Sequence, residues 1–173
     1  VSDESLQVRV EALQQIATAW KHEPGILDLL KQRVVSDESL QVRVEALQQI
    51  ATGWKHEPGI LDLLKQWLVS DESPYVRSEA VRQIATGWKH EPGILDLLKQ
   101  WVVSDESWDV RVEVLQQIAT VWKHEPGILD LLQQRVESDK SWQVRREAVR
   151  QIATVWKHEP GILDLLKQWV VSD

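Results

Sequence analysis

The chain has no cysteine, no methionine and no phenylalanine, and only one tyrosine among its 173 residues. Without cysteine there can be no disulfide, thiolate metal site or cysteine nucleophile, although this fixes no compartment. Methionine is missing even at position 1, so the expectation is a processed chain or a piece of a longer array. No segment reaches the roughly 18 consecutive apolar residues of a membrane span. A charged then apolar leader with a small-residue cleavage site is also missing. These two points predict a cytoplasmic protein of about one domain that does not enter a membrane. Positive charge is scarce, with 20 Lys and Arg against 27 Asp and Glu and a net charge of -7. Neutralising phosphates takes clustered cations, so nucleic acid is not an expected partner. Gly-rich phosphate loops, a nucleophile elbow, a His-Glu-x-x-His helix and paired catalytic carboxylates are all lacking. The chain therefore reads as non-enzymatic and free of cofactors.

What the chain does have is repetition. Trp-Lys-His-Glu-Pro-Gly-Ile-Leu-Asp-Leu-Leu begins at Trp20 and returns unchanged at Trp54, Trp88, Trp122 and Trp156, always 34 residues on. A fixed period of this size marks a helical repeat array. Five units span residues 1–34, 35–68, 69–102, 103–136 and 137–170, and residues 171–173 start a sixth, all within one domain, 1–173. Ten tryptophans would be odd for an ordinary core, but most of them simply follow the repeat.

Each unit predicts two helices. Ser5 stands where an N-cap belongs, and in the third unit Ser73 precedes Pro74, a residue favoured at the first helical position. Helix A then runs from about residue 6 to residue 19 or 20. At about 100° per residue, Val8, Ala12, Leu13, Ile16, Ala17 and Trp20 share an apolar side, with Glu11, Gln14, Gln15 and Thr18 opposite. Lys21-His22-Glu23 is the hinge, Glu23 the expected cap and Pro24 the expected first residue of helix B. Ile26, Leu27, Leu29, Leu30 and Val34 form a broad apolar face on helix B. Helices this short cannot bury such faces alone, so adjacent units must stack.

A 34-residue period also suits tetratricopeptide repeats, but their Trp, Leu-Gly, Tyr signature is missing. The unit resembles instead the HEAT-like repeat of the short bacterial type, also found in phycobilisome-lyase-type proteins and in artificial alpha-helical repeat scaffolds. The residues that carry this are Asp3 through Ala12, an Asp-x-x-x-x-Val-Arg-x-x-Ala run, then Gly53-Trp54-Lys55, Glu57-Pro58 and Leu61 to Lys65. The resemblance spans all five units, though the usual short form is a few residues briefer and Gly25 is unexpected inside a first helical turn. It implies an all-α fold, a right-handed alpha-solenoid of five helix-turn-helix repeats with helices A convex and helices B concave. It also implies a structural ladder in which Arg9, Arg43, Arg77, Arg111 and Arg145 pair with Asp3, Asp37, Asp71, Asp105 and Asp139. For Arg9, which sits amid the apolar side where an unpaired charge is costly, both Asp3 and Asp37 are candidate acceptors.

The histidines His22, His56, His90, His124 and His158 are the only metal or acid-base series, and each has just one Glu beside it. Stacked helices lie about 10 Å apart, too far for one zinc with bonds of about 2 Å to join two copies. No metal site is expected. Variation between copies is more informative. It gathers at positions 6 and 7 of the unit, at 10, 14 and 19, and at 33. Tyr75, Trp108, Trp142 and Arg146 are residue types that dominate interface energetics, and they are the candidate partner-binding set. Trp67 and Trp101, at position 33, are read first as packing between neighbouring helices B and second as a binding stripe. Position 14 reads as drift on a solvent-facing side. The functional expectation is recognition of a protein or peptide by an extended surface, as part of a larger bacterial sensor or adaptor. The alternative is a designed or purely structural scaffold with no native ligand. Because Leu6, Val10, Trp169 and Val170 repeat the internal pattern without polar replacement, end-to-end association of chains, or a longer parent, is also expected.

Overall fold

The computed structural model describes residues 3–171, with side chains from residue 4; the Asp3 side chain and the start of the sixth repeat at 172 and 173 lie outside the described residues. The described residues are all-α. The A helices are α1 (Asp3–Ala19), α3 (Leu40–Gly53), α5 (Pro74–Gly87), α7 (Trp108–Val121) and α9 (Trp142–Val155). The B helices are α2 (Ile26–Ser36), α4 (Ile60–Ser70), α6 (Ile94–Ser104), α8 (Ile128–Ser138) and α10 (Ile162–Val171). They form two compact units, Val1–Lys89 with α1 to α5 and His90–Asp173 with α6 to α10.

In the first unit α3 packs on α1 and on α5, while α2 lies on α3 and α4 on α5. The second unit repeats this arrangement, with α9 on α7, α6 on α7 and α8 on α9. Each of these B helices thus packs mainly against the A helix of the following repeat. Leu30, Leu64, Leu98 and Leu132, one on each of these B helices, are buried. Full burial of such a side chain contributes about 1.5–3 kcal/mol. Within a unit, no two B helices come together as the A helices do. Trp67, at position 33 of its unit, is only 4% exposed.

The hinge differs from its expected form. Helix B begins at Ile26, not at Pro24, and the residue before it is Gly25 with φ 85° and ψ -7°. Ile26 N–H donates to the Glu23 carbonyl at 3.4 Å. Pro24 and Gly25 are thus the central pair of a type II turn, which favours Pro first and needs positive φ at the second place. Gly59, Gly93, Gly127 and Gly161 repeat that conformation. Nothing lies within 4 Å of where a Gly59 Cβ would be, so conformation and not space calls for glycine.

The start of helix A is also corrected. Ser39, Ser73, Ser107 and Ser141 are the cap residues, but their hydroxyls make no cap hydrogen bond. The preceding aspartates do the work: Ser39 N–H donates to Asp37 Oδ1 at 2.9 Å, and Ser73, Ser107 and Ser141 donate likewise to Asp71, Asp105 and Asp139 at 2.8 Å. The glutamate expected on the solvent side is buried in later copies, as Glu79, Glu113 and Glu147. A glutamine one turn on satisfies it: Gln83 donates to Glu79 at 2.7 Å and Gln117 to Glu113 at 2.9 Å.

Candidate functional site

Trp108 and Trp142 are the first residues of α7 and α9, each placed directly after its Asp-Glu-Ser or Asp-Lys-Ser turn. Side chains four residues apart on a helix share a face. Trp108 and Val112 therefore form one row on α7, and Trp142, Arg146 and Arg150 a second on α9. Since α7 and α9 pack side by side, the two rows enclose a groove of about 480 Å³, completed by Gln143 and Glu147. Trp108 and Trp142 are 41% and 57% exposed, so ring surface faces outward.

The groove wall is cationic. Glu147 is buried and already engaged, accepting from Gln116 of α7 at 2.9 Å and from Gln151 at 2.7 Å. Arg150 reaches the other Glu147 oxygen only at 3.4 Å and stays largely exposed. Arg146 is exposed and makes no hydrogen bond or ion pair among the described residues. An unpaired guanidinium with five donors is suited to a carboxylate.

The arginine repeated on each A helix lies deeper: Arg77 and Arg111 are buried and Arg9, Arg43 and Arg145 partly so, and a charge so placed must be paired. Arg9 donates to Asp37 and Arg43 to Asp71, each 28 residues on. Arg111, 1% exposed, is bidentate on Asp139, with Nε to Oδ2 at 3.1 Å and Nη2 to Oδ1 at 2.9 Å. Three of these arginines also hold the turn before their own helix, Arg77 Nη1 donating to Asp71 O at 2.9 Å, Arg111 Nη1 to Asp105 O at 2.7 Å and Arg145 Nη1 to Asp139 O at 2.7 Å, while Arg43 Nε donates to Val34 O in the last turns of α2 at 2.7 Å. Arg33 adds a second cation to Asp37 at 3.5 Å. Burial by itself raises the Asp37 carboxyl, but the Ser39 N–H, the Arg9 guanidinium and Arg33 together outweigh it and hold the group below its ordinary 3.8.

A family model described as HEAT repeats matches residues 27–100, 61–153 and 95–173, which together take in all the groove and most of the helices. The chain belongs to the HEAT repeat family. No curated protein and no solved structure matches it. HEAT repeats commonly mediate protein–protein interaction and are generally non-catalytic. No helix among the described residues is long and apolar enough to cross a membrane.

Of the residues singled out from the sequence, this HEAT array brings Trp108, Trp142 and Arg146 together. Tyr75, 62% exposed, is on α5 in the first unit. Trp67 is in the core, where no partner can reach it, and Trp101 is half-buried. The five histidines are all exposed. Val112, Gln143, Glu147 and Arg150 also line the groove. Arg150, at position 14 of its unit, is exposed and stands one turn beyond Arg146 on the same face, a spacing visible in the sequence.

Proposed function

We propose that the chain is a non-catalytic protein-recognition module and that the groove between α7 and α9 is its docking surface. One observation carries this reading: two exposed tryptophans and an unpaired arginine converge on adjacent stacked helices. Such residues supply most of the energy of interfaces, and exposed Trp without a partner is a solubility liability. The family supports it, since HEAT repeats commonly bind proteins. The partner is a protein or peptide, met in the cytoplasm, and the module serves a bacterial sensor or adaptor whose near-identical units can re-aim the surface as copies are gained or lost. Selection from a displayed random peptide library tests the reading. The wild-type chain should enrich a peptide family that the folded Trp142→Ala chain fails to retain; equal enrichment by both, or none by either, would refute it.

The sameness of the hinge in all five copies favours a second reading, a designed or structural scaffold without a native ligand, and failure of both chains in that selection is its signature. We also propose that chains associate end to end. Val8 and Trp20 are 69% and 54% exposed where Val42 and Trp54 are buried, and Val170 is 83% exposed where Val34, Leu68 and Val102 are buried. Sedimentation equilibrium should show mass rising with concentration, and Val170→Lys should suppress it; a constant monomer mass would rule association out.

A further inference from the structure

The groove has two chemically different ends, and this asymmetry specifies a class of ligand. Trp142, Arg146 and Arg150 occupy successive turns of α9, each about 6 Å beyond the last at about 1.5 Å rise per residue. Trp108 of α7 closes the apolar end, and Val112, one turn on, occupies in its repeat the place that Arg146 has in the next. In a chain of net charge -7, the other end presents two guanidiniums: Arg146 is unpaired among the described residues, and Arg150, 3.4 Å from one oxygen of the buried Glu147, stays largely exposed, while the other Glu147 oxygen is taken by Gln116 and Gln151. An extended peptide advances about 3.3 Å per residue and turns alternate side chains to the same side. Every second residue of such a peptide therefore keeps pace with one turn of α9.

We infer that the groove binds an extended acidic peptide. An apolar side chain sits between Trp108 and Trp142, and carboxylates two and four residues further along accept from Arg146 and Arg150. This rests on the groove being the docking surface. Single-stranded nucleic acid could also offer a flat base to the tryptophans and phosphates to the arginines, but the net negative charge of the chain opposes a polyanion, whereas two local carboxylates need only the two local cations.

Fluorescence anisotropy with three dye-labelled probes decides it: a flanked Leu-Gly-Glu-Gly-Glu peptide, the same peptide with both Glu replaced by Gln, and oligothymidine. Each is titrated with the 173-residue chain and with its Arg146→Gln, Arg150→Gln, Trp142→Ala and Arg82→Gln variants, checked for folding by circular dichroism. Arg82 occupies the same place on α5 that Arg150 does on α9 and serves as the control. The Glu peptide should bind best, lose roughly tenfold on either groove arginine substitution, as one charge-assisted contact warrants, and keep its affinity with Arg82→Gln. Equal binding of the Glu and Gln peptides, or tighter binding of oligothymidine, would overturn the inference. If both peptides bind equally and Trp142→Ala abolishes both, the docking surface stands and only the acidic preference falls. If no peptide binds at millimolar concentration, both fall.

Discussion

Replacing Arg111 with alanine should be the most damaging single change in the second unit. The side chain is 1% exposed, and its carboxylate partner Asp139 is 3% exposed. Truncation removes the bidentate pair at 2.9 and 3.1 Å and the bonds to Asp105 O and Glu106 O at 2.7 and 3.2 Å. What remains is a buried carboxylate with only the Ser141 N–H to answer it. Stranding one member of a buried ion pair costs about 3–5 kcal/mol. With a urea m-value of about 2 kcal/mol/M, that moves the unfolding midpoint down by roughly 1.5–2.5 M. Arg9→Ala is the internal comparison: its side chain is 35% exposed, the buried Asp37 keeps Arg33 at 3.5 Å and the Ser39 N–H, and the shift should be less than half as large. Asp139→Asn keeps an acceptor for Ser141 while removing the charge, so added to Arg111→Ala it should recover part of the loss. Circular dichroism at 222 nm during urea titration reads all three. If Arg111→Ala shifts the midpoint by under 0.5 M on the scale of that m-value, or no more than Arg9→Ala does, the buried pair is not what holds these repeats together.

Two glycines should respond to alanine with opposite signs. Gly59→Ala forces a side chain into φ 83° and should destabilise by about 1–2 kcal/mol, whereas Gly53→Ala, at the end of α3 with open space around it, should stabilise by about 0.5–1 kcal/mol; the two melting temperatures should move in opposite directions. The depressed Asp37 carboxyl binds its proton less readily folded than unfolded, so its contribution is complete above 3.8 and is lost as pH falls through the lower folded value. Stability measured from pH 6 downward should therefore decline less steeply in Asp37→Asn than in the wild type, and parallel curves would contradict the assignment. Lys55 Nζ lies 5.9 Å from the Trp88 ring centroid, and Lys55→Met should cost about 0.5–1 kcal/mol in a thermal melt.

The helix pairs were legible because period and apolar stripe act locally, and the buried Leu30, Leu64, Leu98 and Leu132 column could be read from spacing alone. The hinge was misread at Pro24 because proline suits both the first helical position and the second place of a turn; the glycine after it, held at positive φ, is what decides for the turn. Choosing Asp37 over Asp3 for Arg9 required knowing how one repeat sits on the next, which no single unit contains. The same holds for Glu147, polar in sequence yet buried once α7 lies beside α9. Trp108, Trp142 and Arg146 stood out by differing between copies, while Trp67 stood out equally and is core. Composition alone does not separate a tryptophan that binds from one that packs.

The aspartates before α3 and α5 divide their two oxygens between different repeats. At Asp37 one receives the Ser39 N–H of its own turn and the other the Arg9 of the repeat before, and Asp71 does the same with Ser73 and Arg43. Helix initiation in one repeat is thereby wired to the integrity of its predecessor. Such an array has a grain: fraying that begins at a leading repeat strips the following aspartate of its cation and loosens the next cap, while fraying at a trailing repeat removes only the acceptor from an arginine such as Arg111, which the carbonyls of its own turn still hold. Pulled or heated, the stack should come apart more readily from its leading side.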